Sequence, residues 1–321
     1  MTYLKGSPAQ ASDYNALAGL TGTAAGSSAA ATQVAGYLLG IGYGDRGYGQ
    51  TSTTLTAVSA GSVITGNPWL NLRTAINTIA TWQNAATTQL PSAAEMSSGA
   101  VHFAAVGGTP YSIPGLLTTL DTNRHTYQIG NMTLTSSAAT TTRSTTWGAG
   151  GGSITCEFSV TFADEQAARY FFNTGGDIRI ALAHPSTLTT RDSSWNTILS
   201  SLVVAFKANS STRLTGSYGT AQSVGYYQLT TSYQTILDGT NSGTGAYTVN
   251  DFIVQAKALT ITGTNGAKGS VVYFKVVLTD EQTNAFSDIV QSGTNAILSH
   301  FRATSVFTNI SAPTCAVVTA F

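Results

Sequence analysis

Charge is what this sequence has least of. Of its 321 residues only 9% are Asp, Glu, Lys or Arg, 14 acidic and 14 basic, and the formal net charge is zero. A typical soluble domain carries about a quarter charged residues and keeps its net charge away from zero. Lys and Arg are nowhere clustered, so the counterion release that drives nucleic-acid binding is missing and no nucleic-acid partner is expected. Long apolar runs are missing too. The stretch from Ala29 to Ile41 is interrupted by Thr32, Gln33 and Gly36 and falls short of the ~20 residues of a membrane span, so no membrane insertion is expected. The opening MTYLKGSPAQ has no charged head followed by an apolar core, which leads us to expect no secretory signal. The sequons at Asn131, Asn209 and Asn309 therefore carry no weight.

Cysteine is scarce. Cys156 and Cys315 each sit in a strand-like run, and without an oxidising compartment two buried free thiols are expected rather than a disulfide. The four histidines (His102, His125, His184, His300) lie far apart, with no H-x-x-x-H or C-x-x-C spacing, so no metal site is expected. No serine stands in G-x-S-x-G. The carboxylate pairs 164/165 and 280/281 are adjacent in sequence and point in different directions on a helix. That suits capping better than a glycosidase pair, whose groups must face each other across a substrate. No catalytic residue and no cofactor is expected.

What is there instead is Ser, Thr, Ala, Asn and 33 glycines, with 42% hydrophobic residues. Such a neutral surface is tolerable when neighbours in an assembly cover much of it, and it also occurs in secreted β-rich proteins. One glycine cluster, GYGDRGYGQ at 42–50, contains a formal G-x-G-x-x-G match at Gly42, Gly44 and Gly47. That fingerprint holds a pyrophosphate only when it follows a strand and opens a helix, with an acidic residue about twenty positions on. Here no helical pattern follows, and the next carboxylate after Asp45 is Glu95. We expect a turn, with Tyr43 and Tyr48 as packing anchors. The glycine run WGAGGGS (147–153) lacks the Lys-Ser/Thr ending of a phosphate loop and is also read as a turn.

The chain divides in character at residue 125. In 1–125 short helical signals are separated by small-residue linkers, an N-terminal attachment region of helices and extended arms. ASDYNALAGL has Ser12 as N-cap, then Tyr14 and Leu17. GNPWLNLRTAINTIATWQ has Asn67 as N-cap, Pro68 in the first turn, and an apolar stripe of Trp69, Leu72, Ile76, Ile79 and Trp82. At an offset of 55, Tyr14 and Leu17 correspond to Trp69 and Leu72. A third helix is expected at 115–124, and a short strand or extended arm between the first two.

In 126–321 the period changes to two. Strands are expected at 127–136, 153–162, 177–183, 212–218, 226–237, 252–263, 270–278 and 314–320, rich in Thr, Val, Tyr, Phe and Ile. Helix interrupts the β pattern at DSSWNTILSSLVVAF, where Trp195, Ile198, Leu199, Leu202, Val203 and Phe206 keep a 3.6 period. The fold class is therefore α+β, with a β-rich, sandwich-like C-terminal domain carrying inserted helices. An internal echo links 159–173 with 275–290: each has a strand, then Asp-Glu-Gln (Asp164 and Asp280 leading), then a helix-like stretch. The carboxylates would occupy the first helical turn, where orphan N–H groups favour negative charge. Tyr218, Tyr226, Tyr227 and Tyr233 form an aromatic stretch able to stack on sugar rings, which makes it the candidate ligand surface.

At two places the residues resemble a known family. SPAQASDYNALAG, followed by GIGYGDRGYGQTSTTLTAVSAGSVITGNPWLNLRTAINTIATWQ, resembles a module of virion structural proteins of tailed bacteriophages: a D-[YF]-N-x-L segment, a G-Y-G-Q turn, an alternating stretch, then a helix with Trp near its start. FADEQAARYFFNTGGDIRI resembles a second element of those proteins, a strand–helix–FN-x-GG–strand unit, and LTDEQTNAF fits the same layout. The resemblance implies a tail, neck or baseplate component, or a fibre-like appendage. It would work in the virion as a repeated subunit bound to copies of itself and to other virion proteins. Tyr14, Leu17, Tyr43, Tyr48, Trp69, Leu72 and Trp82 become the assembly and packing candidates. In FFNTGGDIRI, Asn173, Gly175 and Gly176 can take the positive φ values that end a helix, and Phe171 or Phe172 would lock that helix onto the sheet. The alternative expectation is a receptor- or carbohydrate-binding adhesin at a tail tip, contacting a host-surface glycan through the tyrosine stretch.

Overall fold

Strands of in–out alternation, ten residues long in two cases, form the larger part of the regular structure of this β-rich α+β protein. In the computed structural model the described residues are 11–18, 40–50, 55–59, 66–85, 90, 113–127, 132–148, 151–185, 189–282, 289–304, 308 and 310–321. They form two compact units. One comprises 1–132 with 173–175 and 304–309; the other comprises 133–172, 176–303 and 310–321.

In the first unit, α1 spans Ala11–Ala18, α2 Gly66–Trp82 and α3 Ile113–Thr122. The stripe expected on α2 is buried: Trp69, Leu72, Ile76, Ile79 and Trp82 all face inward with Ala75 and Ala80. Pro68 lies in the first turn, where a missing N–H leaves no bond unmade. The helix begins at Gly66, one residue before the expected cap. Thr74, Thr78 and Thr81 each donate to the carbonyl four residues back, which lets threonine, a poor helix former, keep its hydroxyl satisfied inside a helix. Residues 55–59 take no regular structure; the rest of the expected arm, 51–54 and 60–65, lies outside the described residues.

The second unit is two antiparallel sheets. The strands are β1 Met132–Thr142, β2 Gly152–Thr161, β3 Asp177–Ala183, β4 Leu202–Phe206, β5 Ser211–Thr215, β6 Thr220–Ala221, β7 Gln234–Gly239, β8 Asp251–Ala258, β9 Val271–Asp280, β10 Asn295–Ala303 and β11 Thr314–Thr319. One sheet has the order β1-β10-β3-β4-β5, the other β11-β2-β9-β8-β7-β6. On β9, Val272, Phe274, Val276 and Leu278 point inward; on β2, Cys156, Phe158 and Val160; on β3, Ile178, Ile180 and Leu182. The two inner faces meet where the Phe206 ring stands edge-on to Phe274 at 5.2 Å. Near one margin the sheets are bridged by Ser211 N–H to Gln222 O and Gln222 N–H to Ile236 O. At the other, Phe321 N–H donates to Thr141 Oγ1.

Between β2 and β3 runs α4, Glu165–Asn173. Phe171 and Phe172 hang from it into an aromatic hub with Phe162, Phe206 and Tyr226, whose ring stacks on Phe172 at 4.7 Å. Gly175 takes φ +77, and Gly176 N–H returns to Phe171 O at 3.0 Å, the six-to-one bond of a Schellman stop. Positive φ is needed at Gly175 alone; Asn173 is helical.

Two expectations are corrected. The stretch 192–206 is not one helix. It is α5, Thr190–Leu199, then a break at Ser201 (φ +52), then β4. Leu202, Val204 and Phe206 satisfy a period of two as well as 3.6 does, and the β-branched pair Val203-Val204 packs better on a sheet. Strand pairing on both sides, Ile180 opposite Val204 and Phe206 opposite Ser211, decides it. The expected strand at 226–237 begins instead as a 3-10 turn at Tyr226–Gln228, with the strand starting at Gln234. The strand β10, which lies between β1 and β3, carried no sequence expectation. The helix expected after Asp280 falls at 283–288, outside the described residues.

Candidate functional site

The glycine turn is a structural joint. Gly42, Gly44, Gly47 and Gly49 all have positive φ, and a Cβ on Gly47 would stand 2.3 Å from Ile41 O. The Asn173 amide donates to Gly44 O and Gly47 O, at 3.2 and 2.9 Å. The loop therefore offers carbonyls to an amide. A phosphate cradle would have to offer N–H groups to an anion. Around it, Arg46 grips Asp121 with two bonds, Nε to Oδ1 at 2.7 Å and Nη2 to Oδ2 at 3.0 Å. Arg124 reaches Asp45 Oδ2 at 2.6 Å, and His125 Nε2 lies 3.7 Å from the same oxygen. Tyr48 is buried, its ring edge-on to Trp82 and its hydroxyl donating to Arg124 O while accepting from Gln83. Tyr43 is half-buried.

The other packing candidates meet one another. Tyr14 and Trp69, equivalent at the offset of 55, touch edge-to-face at 5.4 Å. Leu72 is fully buried; the Leu17 side chain lies outside the described residues. Sequence reasoning missed Asn15, the Asn of the D-Y-N-x-L segment. Its side chain donates to Val58 O and accepts from Val58 N–H, both at 2.8 Å, as a strand partner would. Only the spacing from Tyr14 hinted at a role for it.

The two Asp-Glu-Gln units differ. Asp164 caps α4 through Ala167 N–H at 2.7 Å. Asp280 is buried, accepts from Gln282 N–H, and has Oδ2 3.5 Å from Arg191 Nε; burial raises its carboxyl above the ordinary range while Arg191 opposes this. Arg191 in turn donates to Gly148 O. Next to this pair the Trp147 indole N–H donates to Thr294 Oγ1, which lies 2.8 Å from His184 Nδ1, and His184 Nε2 lies 3.0 Å from Asp192 Oδ1. A Thr–His–Asp line resembles a nucleophile and its base. Thr294, His184 and Asp192 are all buried, however, and the Thr294 oxygen has a donor and an acceptor already. Burial holds the His184 imidazole below its usual pKa, with Asp192 opposing. This is a satisfied polar core.

Of the tyrosines read as a ligand surface, Tyr226 is excluded: it is 0% exposed, part of the aromatic hub, with its hydroxyl donating to Gly269 O and accepting from Lys268 N–H. A 3-10 turn where a strand was expected aims it inward. Tyr218 and Tyr227 are half-buried. Tyr233 lies outside the six-stranded sheet in a group that alternation alone would not assemble. Glu157 on β2, Tyr273 and Lys275 on β9, and Gln255 and Lys257 on β8 all face outward, because their neighbours Phe158, Phe274 and Ala256 face in. Register sets Lys275 opposite both Glu157 and Gln255, and Tyr273 opposite both Ser159 and Lys257. The Lys257 and Lys275 ammonium groups lie 4.4 and 4.2 Å from the Tyr233 ring centroid, and Lys257 lies 5.3 Å from that of Tyr273. The Tyr233 hydroxyl bonds Glu157 Oε1.

Among the described residues, no three His, Cys, Asp or Glu side chains converge as metal ligands, and no helix is long and apolar enough to cross a membrane. Both cysteines are free. The chain matches no family model, no curated protein and no solved structure.

Proposed function

We propose that the chain is a structural component of a tailed-phage virion, in the tail, neck, baseplate or a fibre-like appendage, assembling as symmetric copies. The observation that carries this reading is the margin formed by β1 and β11. β11 (TCAVVT) is exposed along both faces, with Val317 37% and Val318 49% exposed, and Leu134 on β1 is 48% exposed. Neither strand contains a single charged residue. Monomeric sheets protect such edges with Lys, Pro, bulges or cover; β11 has one register shift, between Val317 and Thr319, but neither strand holds a Lys or Pro. An uncharged, two-faced edge suits a subunit whose neighbour completes it, and a cyclic arrangement of copies does so without leaving open ends. Within the first unit, the residues that carry the phage resemblance serve as architecture: Asn15 and Tyr14 brace the arm and second helix, and Asn173 holds the turn, while Gly175 ends α4.

The test is direct. Density-purified particles should contain the chain at a fixed copy number, and their absence from particles defeats the virion reading. Purified protein should sediment as a discrete oligomer, and Val318→Lys should shift it toward monomer while the thermal midpoint holds. A wild-type monomer at high concentration would remove the edge argument.

A further inference from the structure

The outer face of the six-stranded sheet holds two cations with no carboxylate partner among the described residues, in a protein that has few charges to place. Arg46, Arg124, Arg179 and Arg191 each face an aspartate. Lys257 and Lys275 do not form an ion pair among the described residues; the groups over which they lie are tyrosine rings. Glu157 stands directly across from Lys275 in the β2–β9 register, yet its carboxylate is taken by the Tyr233 hydroxyl. Two half-buried ammonium groups, each within 4.4 Å of one ring centroid, raise a positive field that one engaged carboxylate only partly offsets.

Geometry and chemistry then restrict what fits. The face is a β-sheet surface whose rows read Ser159–Tyr273–Lys257 and Glu157–Lys275–Gln255. Half-exposed phenol rings offer an electron-rich surface to the C–H face of a pyranose, as they do to cations. Ser159, Gln255 and the free oxygen of Glu157 can hydrogen-bond ring hydroxyls. The lysines supply what a neutral sugar would not use, a pair of charge-assisted donors for an anionic group. A nucleic acid would need a longer basic track than two lysines in a chain of zero net charge. An acidic protein segment would use the cations and leave the phenol faces and hydroxyl acceptors idle.

We propose that Tyr233, Tyr273, Lys257 and Lys275 form a shallow binding site for a carboxylated saccharide, the lysines engaging the carboxylate and the tyrosines the ring. The site uses one tyrosine of the 218–233 stretch and three residues outside it. It does not depend on the β1–β11 margin, so assembly and sugar binding fail separately.

The full chain is titrated with polygalacturonate, polysialate, neutral dextran and inorganic polyphosphate, by calorimetry or by glycan-coated biosensor. Saturable binding to at least one of the two carboxylated polymers is expected, with dextran far weaker. Lys257→Gln with Lys275→Gln should weaken it roughly tenfold or more, the equivalent of one or two charge-assisted contacts. Lys207→Gln, in the turn between β4 and β5 of the other sheet, should leave it unchanged. Tyr273→Ala should weaken saccharide binding several-fold without weakening polyphosphate binding, because only the sugar has a ring to stack. An unchanged thermal midpoint in each variant keeps the comparison valid; should Tyr273→Ala lower it, the lysine double variant alone decides. No binding to either carboxylated polymer, binding indifferent to the double lysine change, or polyphosphate bound as tightly as the sugars would each overturn the proposal.

Discussion

The Asn173 amide donates to two carbonyls of the glycine turn from a fully buried position. Asn173→Ala leaves both acceptors without that donor, and the expected loss is about 2 kcal/mol. Asn173→Asp should lose more, since a carboxylate presents acceptors to acceptors. Denaturant unfolding of the two variants against wild type checks the order, and an Asp variant as stable as Ala would contradict the assigned bonds. The buried imidazoles set a pH dependence. Burial lowers the pKa of His184, and burial with the Arg302 charge lowers that of His300, both from an ordinary 6.5. Below 6.5 the unfolded chain takes up protons that the folded chain refuses. Stability from these groups is therefore full above 6.5 and declines as pH falls toward their lowered folded values. Asp177 and Asp280 have raised values, from burial first, and act oppositely: the stability tied to their protonated forms is full below 3.8 and is lost as pH rises. Unfolding monitored at stepped pH should show proton uptake just below 6.5. Cys315, whose thiol burial pushes up to about 11, should react sluggishly with alkylating reagents at neutral pH.

At the scale of elements, the α5–β4 junction is the place where two periodicities compete. Ser201 sits at φ +52 between them, a conformation that disfavours any residue with a Cβ by roughly 1–2 kcal/mol, of which glycine's greater unfolded-state entropy returns part. Ser201→Gly should therefore stabilise by about 0.5 kcal/mol in thermal unfolding; a destabilised variant would mean that the Ser201 side chain has a role of its own. At the other end of α5, Thr189 and Asp192 form a reciprocal capping box. Thr189→Ala should cost about 1 kcal/mol. Asp192 is also held by His184 and by Gln291 N–H, so its replacement should cost more than the cap alone.

Across the whole molecule, stability comes from alternating apolar faces and a hub of aromatic rings, with the ion pairs gathered at a few sites such as the glycine turn. Sodium chloride should move the unfolding midpoint little, because screening acts mainly on exposed pairs, whereas sulfate should raise it by strengthening apolar burial. A large loss of stability in sodium chloride would show that the Arg46–Asp121 and Arg124–Asp45 pairs hold far more than their unit.

Local spacing was enough, by itself, to determine α2, β2, β3 and β9, because in each a single period runs long enough to exclude the other; it located β8 but ran five residues past its end at Ala258. It also determined that GYGDRGYGQ is a turn, since its glycine spacing is not followed by a helix that could cradle a phosphate. Only tertiary structure decided β4, where one apolar run fits both periods, and Tyr226, which a 3-10 turn points into the core. It alone brought Asn173 to Gly44 and Gly47, and Lys257 and Lys275 to Tyr233. These partners lie far apart in sequence, so no local pattern encodes them. Strand register and chain reversal put them together, and those depend on what each strand finds beside it.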